Sequence, residues 1–316
     1  MLPAIESEDQ LTALKKDPAA SQTLLEEVAA RIGLDRSQVE TFSEGSAIVG
    51  AVGDQVLKVF APFDGEYAAT EAKVLSFLTD RLPIPTPSFL GAETIDGWHL
   101  VSMGRLSGVP LATVWDKIDS PSRLQLAREI GRGIAALHAL DPTPVDGIPP
   151  AWGPFIEKQR EGVVERQRKL GLDASWLAQL EPFLAAVDPG ESASWGRRSL
   201  LHTEVMRDHV LVEREAGGDD WRLSGLIDFE PAMIGPPEYE LASVGLFVSG
   251  GDRALFAAFL DGLGIPSEQR GPAFARRLLA AALLHRYAHL PWYLDHLAPV
   301  RATTLDELAL EWWGVE

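Results

Sequence analysis

The spacing of apolar and polar positions changes along the 316-residue chain. The run ETFSEGSAIVGAVGDQVLKVFAP is rich in β-branched residues and contains Gly53-Asp54, while FLGAETIDGWHLVSM contains Asp96-Gly97. Such runs are typical of antiparallel strands joined by tight turns. Two other stretches have helical spacing: TLLEEVAARIGL, for which Ser21 is the expected N-cap, and EYAATEAKVLSFLTDRL. The pattern predicts a two-stranded hairpin and then a second hairpin, together with amphipathic helices.

Beyond Gly104 the spacing becomes mostly helical. The run SPSRLQLAREIGRGIAALHAL opens on Ser120 and Pro121, which read as an N-cap followed by proline at the first helical position. Three short strand-like runs, SLLH, VLVERE and WRLSGLID, interrupt the helices. We therefore predict an α+β chain with an N-terminal lobe over residues 1–103 and a C-terminal helical lobe over residues 104–316.

Composition limits the classes of partner. The net charge is -18 and the pI about 4.8, which argues against nucleic acid or an anionic membrane surface and favours a small molecule or a protein. The chain has no cysteine, so a metal would need oxygen or imidazole ligands. The start MLPAIESEDQ lacks the features of a signal peptide, and no run is apolar enough to cross a bilayer. We expect a cytoplasmic protein.

A short polar island is the clearest candidate for chemistry. SLLHTEVMRDHVLV places His202, Glu204, Asp208 and His209 between two apolar runs, and Asp228 ends a third run in LSGLIDFE. Polar side chains at the ends of buried strands are typical of functional loops on a rigid scaffold.

Several motifs follow one another along the chain: Lys58 on a strand, Glu71 on the next helix, and then the segments HTEVMRDH, IDFE and GPPEYELA. This order resembles the aminoglycoside phosphotransferase and choline kinase group, kinase-type enzymes that modify antibiotics and small metabolites and include hygromycin and macrolide phosphotransferases. The resemblance spans roughly residues 40 to 300. It implies a bilobal protein-kinase-like fold, with a small β-rich N-lobe and a large mostly helical C-lobe, and transfer of phosphate from ATP or GTP to a hydroxyl.

The resemblance also implies a nucleotide site. Lys58 would contact the phosphates and pair with Glu71, and the loop from Ser43 to Gly50 would cover the phosphates. The cofactor-binding residues implied are Lys58, Glu71, Ser46, Met103 and Gly104, the last two through backbone groups that face the nucleobase.

The implied catalytic loop departs from the family pattern HGDxxxxN. Asp228 and His209 would bind Mg2+ or, because imidazole suits borderline metals better, Mn2+. Glu204 stands where the family has its catalytic aspartate, and we expect it to orient or deprotonate the acceptor hydroxyl. His202 would hold the loop, and Thr203 replaces a glycine.

Several alternatives stay open at this point. Lys58 also fits an edge-strand lysine, Glu66 competes with Glu71 for the pairing role, and Asp228 also fits an Asx cap. The longer glutamate at position 204 leaves room for a catalytically weak nucleotide-binding module, a pseudokinase-like regulator, as the alternative function.

The acceptor is the least constrained part of the prediction. Overall acidity permits a polycationic aminoglycoside, yet acidic and basic side chains nearly balance over residues 157–188. Trp152, Phe155 and Trp176 lie in or near that stretch, which makes a less charged acceptor, such as a nucleoside or a macrolide-like antibiotic, equally consistent. The aromatic run from His285 to Tyr293 fits core packing as well as a substrate pocket.

Overall fold

The computed structural model describes residues 1–42, 45–187, 197–215, 217–218, 220–297 and 299–314. These residues form two compact units. The first unit comprises residues 1–107 and 225–231, and the second comprises residues 108–224 and 232–316 within the described ranges.

The first unit is built on a five-stranded sheet with the order β1-β2-β3-β5-β4, in which all neighbours are antiparallel. Its strands are β1 (Val39–Phe42), β2 (Ile48–Val52), β3 (Gln55–Phe60), β4 (Phe89–Ile95) and β5 (Trp98–Gly104). Both predicted turns are confirmed: Gly53, Asp96 and Gly97 all have positive φ angles, as tight hairpins with right-handed strand twist require. The prediction of only two strands before residue 61 was incomplete, because β1 adds a third.

Three helices accompany this sheet: α1 (Glu8–Lys15), α2 (Pro18–Arg31) and α3 (Gly65–Leu78). The prediction that Ser21 caps α2 was wrong. Asp17 is the N-cap, and its carboxylate accepts from the N–H groups of Ala19 and Ala20, while Pro18 needs no such partner. Ser21 lies buried within the helix.

The apolar face of α2 packs on the sheet. Gly50 in β2 makes this close approach possible, since a Cβ at that position would lie 2.7 Å from Leu25 Cδ1. The buried core of the unit includes Leu24, Leu25, Val28, Ile48, Leu57, Val59, Trp98 and Leu100. This core supports β3, the strand that carries Lys58.

The second unit is mostly helical. Its helices are α4 (Leu111–Val114), α5 (Ser120–Ala139), α6 (Trp152–Lys169), α7 (Ala174–Ala186), α8 (Pro237–Ser243), α9 (Arg253–Leu263), α10 (Pro272–Leu283), α11 (Leu290–His296) and α12 (Leu305–Trp313). The predicted N-cap of α5 was wrong by one position, because Asp119 rather than Ser120 accepts from the N–H of Ser122. Shorter 3-10 turns cover Arg36–Gln38, Trp115–Lys117, Thr143–Val145 and Ser267–Gln269 across the two units, and a π-helical turn covers Val244–Val248.

Helices α5 and α9 pack through glycines. A Cβ on Gly131 would lie 2.2 Å from the carbonyl oxygen of Phe259, and one on Gly262 would lie 2.0 Å from that of Arg128. Larger residues at either position would therefore force the helices apart.

Short strands sit among these helices and carry the polar island. β7 (Ser199–Leu201) pairs with β10 (Met233–Gly235), and a second sheet has the order β6-β8-β9, formed by Val109–Pro110, Val210–Arg214 and Trp221–Leu226. The three strand-like runs of the sequence are thus confirmed, whereas β6 and β10 were not predicted.

Residues 225–231 belong to the first unit, although the sequence-based division placed everything after residue 103 in the C-terminal lobe. Hydrogen bonds explain this membership. The N–H of Leu226 donates to the carbonyl of Pro85 at 2.9 Å, and the N–H of Phe229 donates to the carboxylate of Glu71 at 3.2 Å. No helix among the described residues is both long and apolar enough to cross a membrane.

Candidate active site

Lys58 is the centre of a buried charge cluster in the first unit. Lys58 pairs with Val49 of β2 on one side and with Val101 of β5 on the other, so its side chain projects from a strand that has a neighbour along both edges. The ammonium Nζ lies 2.9 Å from Glu71 Oε2, 2.5 Å from Asp228 Oδ1 and 2.8 Å from Glu230 Oε2. With 8% of its side chain exposed, Lys58 is not a solvated edge lysine.

Electrostatics in this cluster follow from three carboxylates around one ammonium. Burial by itself would lower the pKa of Lys58, but the charges of Asp228, Glu71 and Glu230 raise it well above its usual value. Burial raises the pKa of Glu71 to about 7, an effect that Lys58 opposes and the charges of Asp228 and Glu230 increase. The cluster therefore carries an excess of negative charge, and its oxygen donors suit a hard divalent cation.

Asp228 reaches Lys58 from an unusual backbone conformation. Its φ angle is +73°, in the left-handed region that non-glycine residues rarely occupy. The hydrogen bond from the next residue, Phe229, to Glu71 holds this turn, so that one glutamate contacts both the lysine and the segment that carries the aspartate. Such strained positions are common at ligand-binding and catalytic sites.

Glu230 in this cluster and Lys15 beside the loop of Ser46 were not predicted. Glu230 contacts Lys58 and also accepts a hydrogen bond from the hydroxyl of Ser46. Lys15 on α1 donates to the carbonyls of Gly45, at 2.5 Å, and Ser46, at 2.8 Å. Glu230 lies in the IDFE segment itself, next to Asp228 and Phe229, which was a signal for it, but nothing in the local sequence points to Lys15.

The loop proposed to cover the phosphates is only partly described. Its residues 43 and 44 lie outside the described ranges, whereas Ser46 is placed by its contact with Glu230.

Met103 and Gly104 end strand β5, where the resemblance places the nucleobase. The N–H of Gly104 donates to the carbonyl of Ser88 at 2.8 Å, and a Cβ on Gly104 would lie 2.4 Å from Ser88 Oγ. The backbone of Gly104 thus lies close against Ser88. Since this N–H is engaged, the carbonyl of Gly104 is its remaining backbone group for a base.

In the second unit, Glu240 on α8 holds the start of the loop that carries Glu204. Its two carboxylate oxygens accept from the N–H groups of His202 and Thr203, each at 2.7 Å. Burial would raise the pKa of Glu240, but the hydrogen bond and charge of His138, together with His202, lower it. A charged, fully buried carboxylate on two successive amides is a strong loop anchor.

Thr203 is strained and is held from both sides. Its φ angle is +72°, which a β-branched residue adopts only at a cost. Glu240 binds its N–H, and the Nε2 of His285 lies 3.1 Å from its carbonyl oxygen. The N–H of Tyr287 donates to Nδ1 of His285 at 3.3 Å, so Nε2 carries the hydrogen that Thr203 accepts. This contact was not predicted.

The remaining candidate residues follow along the same loop. The N–H of Glu204 donates to Nδ1 of His202 at 3.2 Å, so the fully buried His202 positions the loop. Nδ1 of His209 lies 2.8 Å from the carbonyl of Glu204, and donation to this oxygen leaves the lone pair on Nε2. An imidazole fixed in this way is suited to metal ligation.

Arg207 anchors the far end of the loop. Its guanidinium lies 3.6 Å from the ring centre of Trp115, and its Nε donates to the carbonyl of Val248 at 2.9 Å. Burial, with the neighbouring charge of Arg123, lowers the pKa of Arg207 to about 10. The loop is therefore fixed at Thr203 and again at Arg207.

The structure brings the predicted site residues together within each unit. In the first unit Lys58, Glu71 and Asp228 are in direct contact and Glu230 connects Ser46 to them, while Glu66 is not part of the contacts to Lys58. In the second unit His202, Glu204 and His209 share one hydrogen-bonded loop.

Solved structures with the same fold include antibiotic phosphotransferases. A GDP complex of a mutant aminoglycoside 2'-phosphotransferase-IIIa superposes with a TM-score of 0.66 at 19% identity, covering 89% of this chain and 95% of that one. The macrolide 2'-phosphotransferase MphH from Brachybacterium faecium superposes with a TM-score of 0.58 at 21% identity, covering 88% and 99%. These similarities confirm the predicted fold class.

Comparisons of the sequence also give matches. A lysine-specific demethylase, JMJ21 of Arabidopsis thaliana, is 22% identical over 222 residues, which are 58% of this chain but span only 23% of that protein's length. The model of the phosphotransferase enzyme family matches residues 46–298, a range that contains Lys58, the polar island and the IDFE segment. The chain therefore belongs to the phosphotransferase enzyme family.

Proposed function

We propose that this protein is an ATP- or GTP-dependent O-phosphotransferase that phosphorylates a hydroxyl of a small molecule, and that the acceptor is an antibiotic. The observation that carries the proposal is the buried contact of Lys58 with Glu71 and Asp228. Phosphoryl transfer is achieved mainly by positioning and by neutralising charge, and a fixed ammonium beside metal-binding carboxylates supplies both. Family membership and the antibiotic phosphotransferases among the solved structures support the acceptor class.

On the nucleotide side, Lys58 is proposed to bind the phosphates while Glu71 keeps its ammonium in place. Asp228 is the proposed ligand of a divalent ion, Mg2+ or Mn2+, which when bound neutralises charge on the phosphates. Three carboxylates around one ammonium are a donor set that fits such an ion. Ser46 and the backbone of Met103 and Gly104 are proposed to contact the phosphates and the base.

On the acceptor side, Glu204 is proposed to orient the hydroxyl and to accept its proton. The two anchors at Thr203 and Arg207 restrict the loop, which is the condition for a base to be held within reach of its proton. His202 positions the amide of Glu204, and His209 is the proposed imidazole ligand of the metal.

The test is nucleotide turnover with a panel of hydroxylated antibiotics and metabolites, with and without Mg2+ or Mn2+. Nucleotide consumption should require both an acceptor and a divalent ion, and the product should carry a phosphate ester that mass spectrometry detects. Lys58→Met should abolish turnover. Metal-independent consumption, or none with any acceptor although nucleotide binds, would refute the proposal.

A catalytically weak regulatory module is the second candidate, and one observation favours it. Glu230 contacts the ammonium of Lys58 and the hydroxyl of Ser46, the groups proposed to bind phosphate. If Glu230 blocks the phosphate site in such a regulatory module, Glu230→Gln should strengthen nucleotide binding without giving turnover. Turnover by the parent protein excludes this candidate.

A further inference from the structure

Lys15, the last residue of α1, contacts the loop that is proposed to cover the phosphates. Its ammonium Nζ donates to the carbonyl of Gly45 at 2.5 Å and to the carbonyl of Ser46 at 2.8 Å. The range that matches the phosphotransferase family begins at residue 46, so α1 precedes it. The contact therefore joins an N-terminal helix outside the matched range to a loop of the proposed nucleotide site.

Helix α1 is a firm support for this contact. Leu11 of α1 is 4% exposed and belongs to the core of the first unit. The hydroxyl of Ser21 on α2 donates to the carbonyl of Leu14, one residue before Lys15, at 3.1 Å. The backbone of Lys15 is thus held in place, and only its side chain must be ordered to reach the loop.

The contact fixes the orientation of two successive peptide groups. The peptide bonds from Gly45 to Ser46 and from Ser46 to Ala47 are trans, so each N–H points away from the carbonyl of the same peptide group. Because both carbonyls face the ammonium of Lys15, the N–H groups of Ser46 and Ala47 point away from it. A cation on a carbonyl also polarises the peptide group and strengthens its N–H as a donor.

The side chain of Ser46 faces the buried charge cluster. Its hydroxyl donates to Glu230, which contacts the ammonium of Lys58 at 2.8 Å. A phosphate bound to Lys58 would repel the Glu230 carboxylate, so nucleotide binding disturbs this contact of the hydroxyl. The hydrogen bonds from Lys15 use the carbonyls instead, and they can persist when the hydroxyl changes its partner.

We propose, resting on the nucleotide site of the proposed function, that Lys15 is a positioning residue for phosphate binding. It holds the carbonyls of Gly45 and Ser46, and the N–H of Ser46, which points away from Lys15, is thereby presented to the nucleotide phosphates. The ammonium acts through the loop and does not touch the nucleotide. Binding of a triphosphate or diphosphate thus depends on Lys15, whereas binding of a nucleoside, which lacks phosphate, does not.

The experiment measures the affinity of the full chain for ATP, ADP and adenosine, or for the guanosine series if the parent prefers it, by calorimetry with Mg2+. Lys15→Met removes the donor and keeps a long side chain. It should weaken triphosphate and diphosphate binding by about five- to tenfold, the loss expected for a partly exposed charge-assisted hydrogen bond, and nucleoside binding by less than about twofold. Lys15→Arg keeps a charged donor and should retain most of the affinity for triphosphate.

Lys16→Met is the matched control. Lys16 is exposed, and its substitution removes the same charge one position further along the chain. Affinity for triphosphate should stay within about twofold of the parent, because a solvated charge is screened over about 10 Å.

An NMR measurement on the parent protein tests the same proposal without a substitution. The N–H resonance of Ser46 should shift when the triphosphate or the diphosphate is added, and it should not shift with the nucleoside. This measurement decides the matter if Lys15→Met fails to fold.

The outcomes distinguish this proposal from the function on which it rests. Unchanged triphosphate affinity in Lys15→Met, or no shift of the Ser46 N–H in the parent, overturns the positioning role, while turnover by the parent leaves the phosphotransferase function in place. Equal losses in Lys15→Met and Lys16→Met overturn it in favour of a general effect of charge. Equal losses for triphosphate and nucleoside overturn it in favour of a structural role of α1. A parent protein that binds no nucleotide overturns both.

Discussion

The strained conformation of Thr203 permits a test of how the catalytic loop is held. The left-handed conformation costs an L-residue about 1–2 kcal/mol. Two contacts offset this cost: the charged Glu240 on the N–H, at about 1.5–3 kcal/mol, and neutral His285 on the carbonyl, at about 1 kcal/mol. The contacts exceed the strain by about 0.5–3 kcal/mol, and at the lower end of this range the loss of one contact releases part of the loop population.

The perturbation is His285→Phe, alone and combined with Thr203→Gly. Phenylalanine keeps a ring against Tyr239, on which His285 stacks at 5.1 Å, but it removes the donor to Thr203. Loss of about 1 kcal/mol changes the ratio of held to released loop about fivefold; at the smallest margin, about 0.5 kcal/mol, the held fraction falls from about 70% to about 30%, so kcat should fall by up to about twofold with Thr at position 203. Glycine adopts the left-handed region without strain, so in the Thr203→Gly background the remaining Glu240 contact still holds the loop and the same mutation should leave kcat nearly unchanged.

The assay is steady-state turnover of all four proteins with an acceptor that the parent phosphorylates, with nucleotide affinity measured separately. Nucleotide affinity should be equal in the four, because neither residue lies in the first unit. An equal loss of kcat from His285→Phe in both backgrounds would refute the reasoning, since it would show that the imidazole acts independently of the strain at Thr203.

Three further predictions concern metal, base and pH. Asp228→Asn should abolish the rise in melting temperature that Mg2+ adds to a purine triphosphate, whereas Glu230→Gln, which removes another carboxylate from Lys58, should retain it; the reverse pattern would move the metal site to Glu230. Glu204→Gln should lower kcat about a hundredfold with nucleotide affinity within a few fold, and full activity would exclude Glu204 as the base. Burial lowers the pKa of His285 from 6.5 to about 4, so the folded protein binds fewer protons than the unfolded chain in that window. The free energy of unfolding should therefore fall as pH drops from 6.5 to 4, by up to about 3 kcal/mol from this group, and urea titrations of His285→Phe should lack this part.

The local sequence was sufficient to predict the elements that carry the site. Hairpin turns depend on a few adjacent residues, and Asp96-Gly97 accordingly forms the predicted turn. Runs of apolar residues also predicted the strands, and they placed Lys58 within β3 and Asp228 just after β9. Helix caps were less certain, because neighbouring residues compete: Asp17 and Asp119 replaced the predicted serines.

Local sequence predicted the type of most elements in this protein, although it missed β1, β6 and β10, because turn geometry and the period of apolar residues act over a few positions. Only the tertiary structure decided which polar groups meet. Lys58 and Asp228 are 170 positions apart, and the resemblance assigned both to the nucleotide site without predicting their direct contact. The contact of His285 with Thr203, 82 positions away, had no such guide. Such contacts form because burial leaves each charge or carbonyl in need of a partner, and packing of the whole chain determines which partner is within reach.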